Sequence, residues 1–289
     1  MSDRIAAPRQ APRLAAMAPL LSDVLETLER RFPVSGAEAW DAPGLVVGDP
    51  AARVTRVHLA VDAVAATVDE AIAVGAELLL VHHPLLLRGV TTVAESTAKG
   101  ALIARLIRSE CALFAAHTNA DVVETGTSAR LAELLGVLDA APVVSGEPGR
   151  GLGRVGHLSA PITLAEFAQR VADALPATAT GVRFAGDPGR LVTTVAVCGG
   201  AGDSLLGEPA VRSADVYVTS DLRHHPASEA LETAAIAGGP ALIDTAHWAS
   251  ESLWLDVLAD ELRGDHPNVE VTVSRLSTDP WTAVVHPTR

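Results

Sequence analysis

The sequence predicts an α/β protein of two similar α/β domains with mixed sheets, the second inserted into the first, and three observations carry that expectation. Short runs rich in Val, Ile and Leu alternate with amphipathic helical stretches along most of the 289 residues, as strands joined by helices require. Runs such as ELLLVHH are apolar at successive positions, the mark of a strand covered on both faces. A stretch dense in Gly and Pro, APVVSGEPGRGLGRVG, then interrupts the alternation and reads as a linker.

The elements follow in order. Residues 1–18 read as a flexible, Pro-containing leader, too short in its apolar part for a signal peptide. PLLSDVLETLERRFP has helical spacing from Leu20 to Phe32 and stops before Pro33. AEAWDAPGLVVGDP is a loop entering a short strand. RVHLAVDA, VDEAIAVGA and ELLLVHH form strand, helix and strand, continued by the helix TAKGALIARLIRSE, the strand CALFAAHT and the helix GTSARLAELLG. Beyond the linker come GRVGHLSA, the helix TLAEFAQRVADAL, the strands GVRFAG, VTTVAVCGG and DVYVTSDLRHHP, the helix ASEALETAAIAG and the strand PALIDTAH. A helix, SESLWLDVLADELRG, and two strand-like pieces, VEVTVSRL and WTAVVH, close the chain. The expected division is a first domain of 19–130 plus 245–289 and a second of 131–244.

Composition excludes several function classes. A formal net charge of −13 argues against unspecific binding to nucleic acid or to an anionic membrane, and 3% aromatic residues leave little for stacking bases. Every apolar run is soon broken by a charge, Pro or Gly, so no membrane-spanning segment is expected. Cys111 and Cys198 lie far apart in apolar strands and read as buried reduced thiols of a cytoplasmic protein.

The chemistry gathers on histidines. Six of the ten fall in four short segments, each following an expected strand: His82 and His83, His117, His224 and His225, and His247. Ligands of open α/β sheets bind beyond the carboxyl ends of the strands. In LLLVHHPLLL, Pro84 ends the strand, which allows two neighbouring imidazoles to converge instead of facing opposite ways. A pair of satisfied, partly buried histidines is the plainer alternative. In FAAHTNADVVETG, Asp121 offers the hard oxygen that divalent ions take beside imidazole, although a simple turn explains the same residues. His247 and Glu251 stand four apart at the start of a helix, where Cβ atoms are about 5–6 Å apart. That spacing suits a chelate, or an exposed helix pair.

Asp221, His224 and His225 fit either proton-moving groups beside a metal or a polar surface turn. CGGAGDS, around Gly199, reads as a tight strand-to-helix turn, with anion binding the lesser option because it lacks the spacing of a P-loop. VHHP and RHHP form a four-residue echo of a possible duplication.

In order, WDAPGLVVGDP, VHHP, AAHTNAD, TSDLRHH and DTAHWASE resemble the Nif-three-like dinuclear-metal-centre hexameric proteins, often called GTP cyclohydrolase 1 type 2 homologues. The likeness runs from about Leu20 to the C-terminus. It implies a toroidal homohexamer of two-domain subunits. It also implies two divalent ions per subunit, held by His82, His83, Asp121, His247 and Glu251, the last bridging. Two departures stand out: Ala42 and Pro43 follow Trp40–Asp41 where the family often has Asn, and Ser220 follows Thr219 where it commonly has Gly.

The resulting expectation is a metal-dependent hydrolase of a nucleotide or another phosphate-containing small molecule, with His117 or His224 moving protons. The metal can be Zn, Mn, Fe, Co or Ni, since histidine and carboxylate suit them all. The alternative is a non-enzymatic metal-binding, metal-delivery or regulatory hexameric scaffold.

Overall fold

A parallel sheet buried on both faces needs strands apolar at every position, and β3, Leu78–Val81, meets that demand with four residues at 0% exposure. The structure is a computed structural model that describes residues 18–146 and 150–288. The leader expected at 1–18 lies outside the described residues except for Ala18. By packing, the chain divides into two units. One holds the described residues up to Arg31, Ala42–Ala115 and Leu258–Ser274; the other holds Phe32–Asp41, Ala116–Val257 and the described residues from Arg275 on.

The first unit carries a five-stranded sheet in the order β1-β4-β3-β2-β13. Its members are β1 (Gly44–Val47), β2 (Arg56–Ala60), β3, β4 (Ala112–Ala115) and β13 (Glu270–Val273). All pairings are parallel except β1 with β4. Helix α1 (Leu21–Arg31) precedes the sheet, and α2 (Ala65–Ala73) and α3 (Ala98–Arg108) connect its parallel strands. Val68 and Ala71 of α2 and Leu102 and Leu106 of α3 pack on Leu79 and Val81. Each fully buried leucine contributes about 1.5–3 kcal/mol. His58, buried in β2, is engaged at both nitrogens, with Thr272 Oγ1 at 2.8 Å and Glu70 Oε2 at 3.0 Å, and so helps hold β13 to its neighbour.

The second unit carries a six-stranded sheet in the order β5-β8-β10-β11-β12-β9. Its strands are β5 (Leu138–Ala141), β8 (Arg154–Thr163), β9 (Arg183–Ala185), β10 (Leu191–Ala201), β11 (Val216–Ser220) and β12 (Ala241–Thr245). The middle three run parallel and the others are antiparallel, so both units are mixed sheets as expected. Short helix α4 (Thr118–Asp121) and α5 (Thr127–Leu134) precede β5, and α6 (Leu164–Ala174) follows β8. A reciprocal cap starts α6: Glu166 N–H donates to Thr163 Oγ1 at 3.2 Å, and Thr163 N–H donates to Glu166 Oε2 at 2.8 Å. Phe167 and Val171 of α6 then pack on Val195, Val216 and Ile243. The opposite face buries Cys198, Tyr217 and Leu242 under α7 (Pro209–Arg212) and α8 (His224–Ala237). Helices α9 (His247–Ser252) and α10 (Trp254–Asp265) complete the chain's helices among the described residues.

Four local expectations meet a different outcome. The Gly/Pro-dense stretch is not a linker: apart from residues 147–149, which lie outside the described residues, it supplies the paired strands β6 (Val144–Ser145) and β7 (Gly151–Leu152) and leads straight into β8. Gly153 takes a φ of 61°, which lets the chain turn back where a side chain would strain it. α5 and α9 pack with the second sheet, giving Leu131, Ala132 and Ala249 to its core, so their residues group with that sheet and not with the first. RHHP does not prolong a strand; His224 and His225 open α8, whose first turn tolerates Pro226, so the echo with VHHP is not conformational. WTAVVH forms no strand. Its β propensity finds no ladder partner, and Val285 stays 93% exposed.

Both cysteines are free and buried. Burial pushes the Cys111 thiol up to about 11 and the Cys198 thiol up to about 12, the latter helped by the negative charge of Asp121. A folded-state pKa above the unfolded one gives stability that is complete below about pH 9 and is lost as pH climbs through 11 and 12. Denaturant midpoints are therefore expected to fall above pH 9, less steeply in Cys111→Ala. Iodoacetamide at pH 8 should label neither thiol until the chain unfolds.

Candidate metal centre

β3 stops at Val81, and the next two residues leave the ladder together. His82 N–H donates to Val61 O at 3.0 Å and His83 N–H to the same carbonyl at 2.9 Å, immediately before Pro84. The alternation of a continuing strand is thereby broken. The two rings tilt by 49° with centroids 5.0 Å apart, and one nitrogen of each lies within 4.8 Å of the other. His82 is buried, whereas His83 keeps a quarter of its side chain exposed. Asp62, the second residue after β2, places Oδ1 2.7 Å from His83 Nδ1.

In the second unit, His117 caps the single turn of α4 and Asp121 ends it. Asp41, wholly buried in its side chain, places Oδ1 2.7 Å from His117 Nδ1. Its Oδ2 accepts from Thr118 N–H at 3.0 Å and from the Thr118 hydroxyl. Asn119 proves structural: Oδ1 accepts from His117 N–H at 2.9 Å and Nδ2 donates to Phe32 O at 2.8 Å. The Thr127 hydroxyl donates to Asp121 Oδ1. Trp40 stands edge-on to His117, with centroids 5.8 Å apart.

The HxxxE pair lies where the sequence puts it, on α9 just after β12. His247 Nε2 is 3.0 Å from Glu251 Oε1, and Glu251 is 4% exposed in its side chain. Asp221, at the end of β11, places Oδ2 2.8 Å from His247 Nδ1. The glycine cluster supplies the floor of this chelate. Gly200 has a φ of 69°, and a Cβ there would run into Glu251 Oε1 and approach His247 Nε2 to 3.3 Å. The amides of Gly199 and Gly200 donate to Ser128 Oγ at 3.1 Å and Ser250 Oγ at 2.9 Å. With those donors occupied, the amides of Gly199 and Gly200 are not offered to an anion.

One arrangement recurs three times. His83, His117 and His247 each turn Nδ1 toward an aspartate, Asp62, Asp41 and Asp221. An ionised carboxylate only accepts, so Nδ1 carries the proton in each and Nε2 is the nitrogen that would face an ion; His247 Nε2 itself lies 3.0 Å from Glu251 Oε1, a contact that needs a proton or a cation between the two. This is the usual way a metal-ligating imidazole is aimed. Asp221 stands out in the sequence beside its histidines, whereas Asp41 and Asp62 do not. Asp62 had a readable signal, a carboxylate directly after an apolar strand, the one that marks Asp121. His224 is exposed on the first turn of α8, in T-shaped contact with His225 at 5.1 Å. Among the described residues it makes no hydrogen bond or ion pair with Asp121, His247 or Glu251.

The donor chemistry fits divalent ions: neutral imidazole nitrogens and carboxylate oxygens, with glycine keeping the space beside Glu251 clear of carbon. The sequence matches the Duf34/NIF3 (NGG1p interacting factor 3) family over residues 19–280. The chain belongs to that family. It is 49% identical over 275 residues to a Streptomyces coelicolor protein named GTP cyclohydrolase 1 type 2 homolog, covering 92% of this chain and 95% of that one. A Mycobacterium leprae protein of the same name is 37% identical, with 92% and 96% covered. Among solved structures, a Bacillus cereus protein related to NIF3 superposes with a TM-score of 0.84 at 24% identity, over 92% of this chain and 100% of that one. A hypothetical protein of Staphylococcus aureus gives 0.81 at 28%, over 92% and 99%. The mixed α/β fold is thus the NIF3 fold.

Two outcomes follow from this geometry. Gly200→Ala should weaken divalent-metal binding about tenfold or more and lower stability by about 1–2 kcal/mol, since it adds both a clash and a strained φ; chelator competition and thermal unfolding measure the two effects. Asp221→Asn, which tolerates the φ of 54° at that position, should cost about 10–100-fold in metal affinity with little change in melting temperature.

Proposed function

We propose that this protein is a dinuclear divalent-metal hydrolase, with His82, His83, Asp121, His247 and Glu251 as the residues that would hold the two ions. The observation that carries the reading is the His247–Glu251 chelate, with its histidine aimed by Asp221 and its carboxylate cradled by Gly200. Two such ions, when bound, supply Lewis acidity toward water and toward an electrophilic oxygen of the substrate. The chain's own residues do the rest. Asp62 and Asp221 keep the Nδ1 protons of His83 and His247 in place, and Thr127 steadies Asp121. Proton movement falls to His117, held by Asp41, or to His224.

The names of the relatives favour a purine nucleotide as substrate, opened at its imidazole ring. A toroidal homohexamer of subunits with the second domain inserted into the first, working in the cytoplasm, completes the proposal. Among the described residues no helix is long and apolar enough to cross a membrane, which agrees with that location.

Metal analysis of the purified protein is expected to find about two divalent ions per chain, and Glu251→Ala should lower that content sharply. One ion per chain, unchanged in Glu251→Ala, would sink the dinuclear reading. A hydrolase screen on nucleotides, phosphoesters and amides with the metal-loaded protein should show turnover. Full loading without turnover selects the metal-delivery or regulatory scaffold instead.

A further inference from the structure

A cavity of about 630 Å³ opens in the second unit beside α5, β5 and the start of β8, and its charged lining is Glu124, Arg130, Glu133 and Arg154. Arg154 is 4% exposed, yet its hydrogen bonds all go to neutral acceptors: Gly151 O and Gly153 O at 2.7 Å from Nη1, and Val123 O at 2.6 Å from Nη2. Among the described residues no carboxylate pairs with it. A buried cation without a counter-ion is costly, and here burial pulls the guanidinium below its usual pKa despite the nearby charges of Glu124 and Asp121. Three of the five guanidinium N–H donors are spent, so two remain.

Arg130 lines the same cavity. Its Nη1 donates to Glu133 Oε2 at 2.7 Å, while its Nε is buried and has no acceptor. Two guanidiniums with unspent donors therefore border one space, whose other walls include Ala129, Val137 and Ala140. The volume is that of a metabolite pocket. Glu124, exposed at its rim, opposes a second negative charge and favours a ligand with a single anionic group.

We propose that this cavity is a binding site for a small anion, a carboxylate or phosphate group held by Arg154 and Arg130. The site does not depend on the metal reading, because its donors are two arginines and no metal ligand lines it. It would give the buried charge of Arg154 a counter-ion that it lacks among the described residues.

Calorimetric titration of the full-length protein with inorganic phosphate, and separately with butyrate, tests this. Saturable binding is expected for at least one probe and identifies which oxyanion the site prefers. Arg130→Gln, which removes a donor, and Ala129→Phe, which fills the space, should each weaken it about tenfold. Glu124→Gln should tighten it by about twofold or more by removing the opposing charge, and Glu251→Ala should leave it unchanged. Circular dichroism confirms that each variant is folded, and because Arg130 is partly exposed, its substitution leaves the core intact. The proposal is overturned if neither probe saturates. It also falls if binding survives both Arg130→Gln and Ala129→Phe, or if it vanishes in Glu251→Ala, which would place the anion at the metal ligands.

Discussion

An imidazole becomes a directed metal ligand only when its second nitrogen is anchored, and that anchoring is the constraint to which the rest of this structure answers. The three anchors differ in how they are built. Asp41 is wholly buried and is itself held by the backbone and hydroxyl of Thr118, whereas Asp62 and Asp221 follow β2 and β11 and remain partly exposed. Each carboxylate is fixed by a strand or turn of the same unit as its histidine.

The sheets make this possible by ending where they do. In parallel strands the carboxyl ends gather on one edge, and a residue just past the last ladder bond is free of the alternation that governs the strand. His82 and His83 use that freedom by sharing the carbonyl of Val61, and His247 uses it by starting a helix directly after β12. The helical turn then does for His247 and Glu251 what no strand can, stacking two ligands on one face. Gly200 shows the cost of close packing: β10 must pass so near Glu251 that only hydrogen fits.

Much of this was legible in the sequence. The apolar block of β3, the strand-ending Pro84, the HxxxE spacing and the T-x-x-E cap of α6 are local signals, and each acts within a few residues. The Gly/Pro-rich stretch misled for an equally physical reason. Gly and Pro mark any sharp change of direction, and a hairpin that returns to its own sheet uses the same residues as a linker. WTAVVH misled because β propensity describes a surface that suits a neighbour, and no neighbour is provided.

What the sequence determined by itself was most of the elements and the chemical identity of the residues proposed as ligands, because helix period, strand burial and His/carboxylate spacing are written in adjacent residues. Tertiary structure alone decided which aspartate aims which histidine, since Asp41 and His117 are 76 positions apart and Asp221 and His247 are 26 apart. It alone set the glycine turn against Glu251 and brought Ser128 and Ser250 to its amides. It also left Arg154 buried beside a cavity with no carboxylate paired to it among the described residues, a state that no local pattern records.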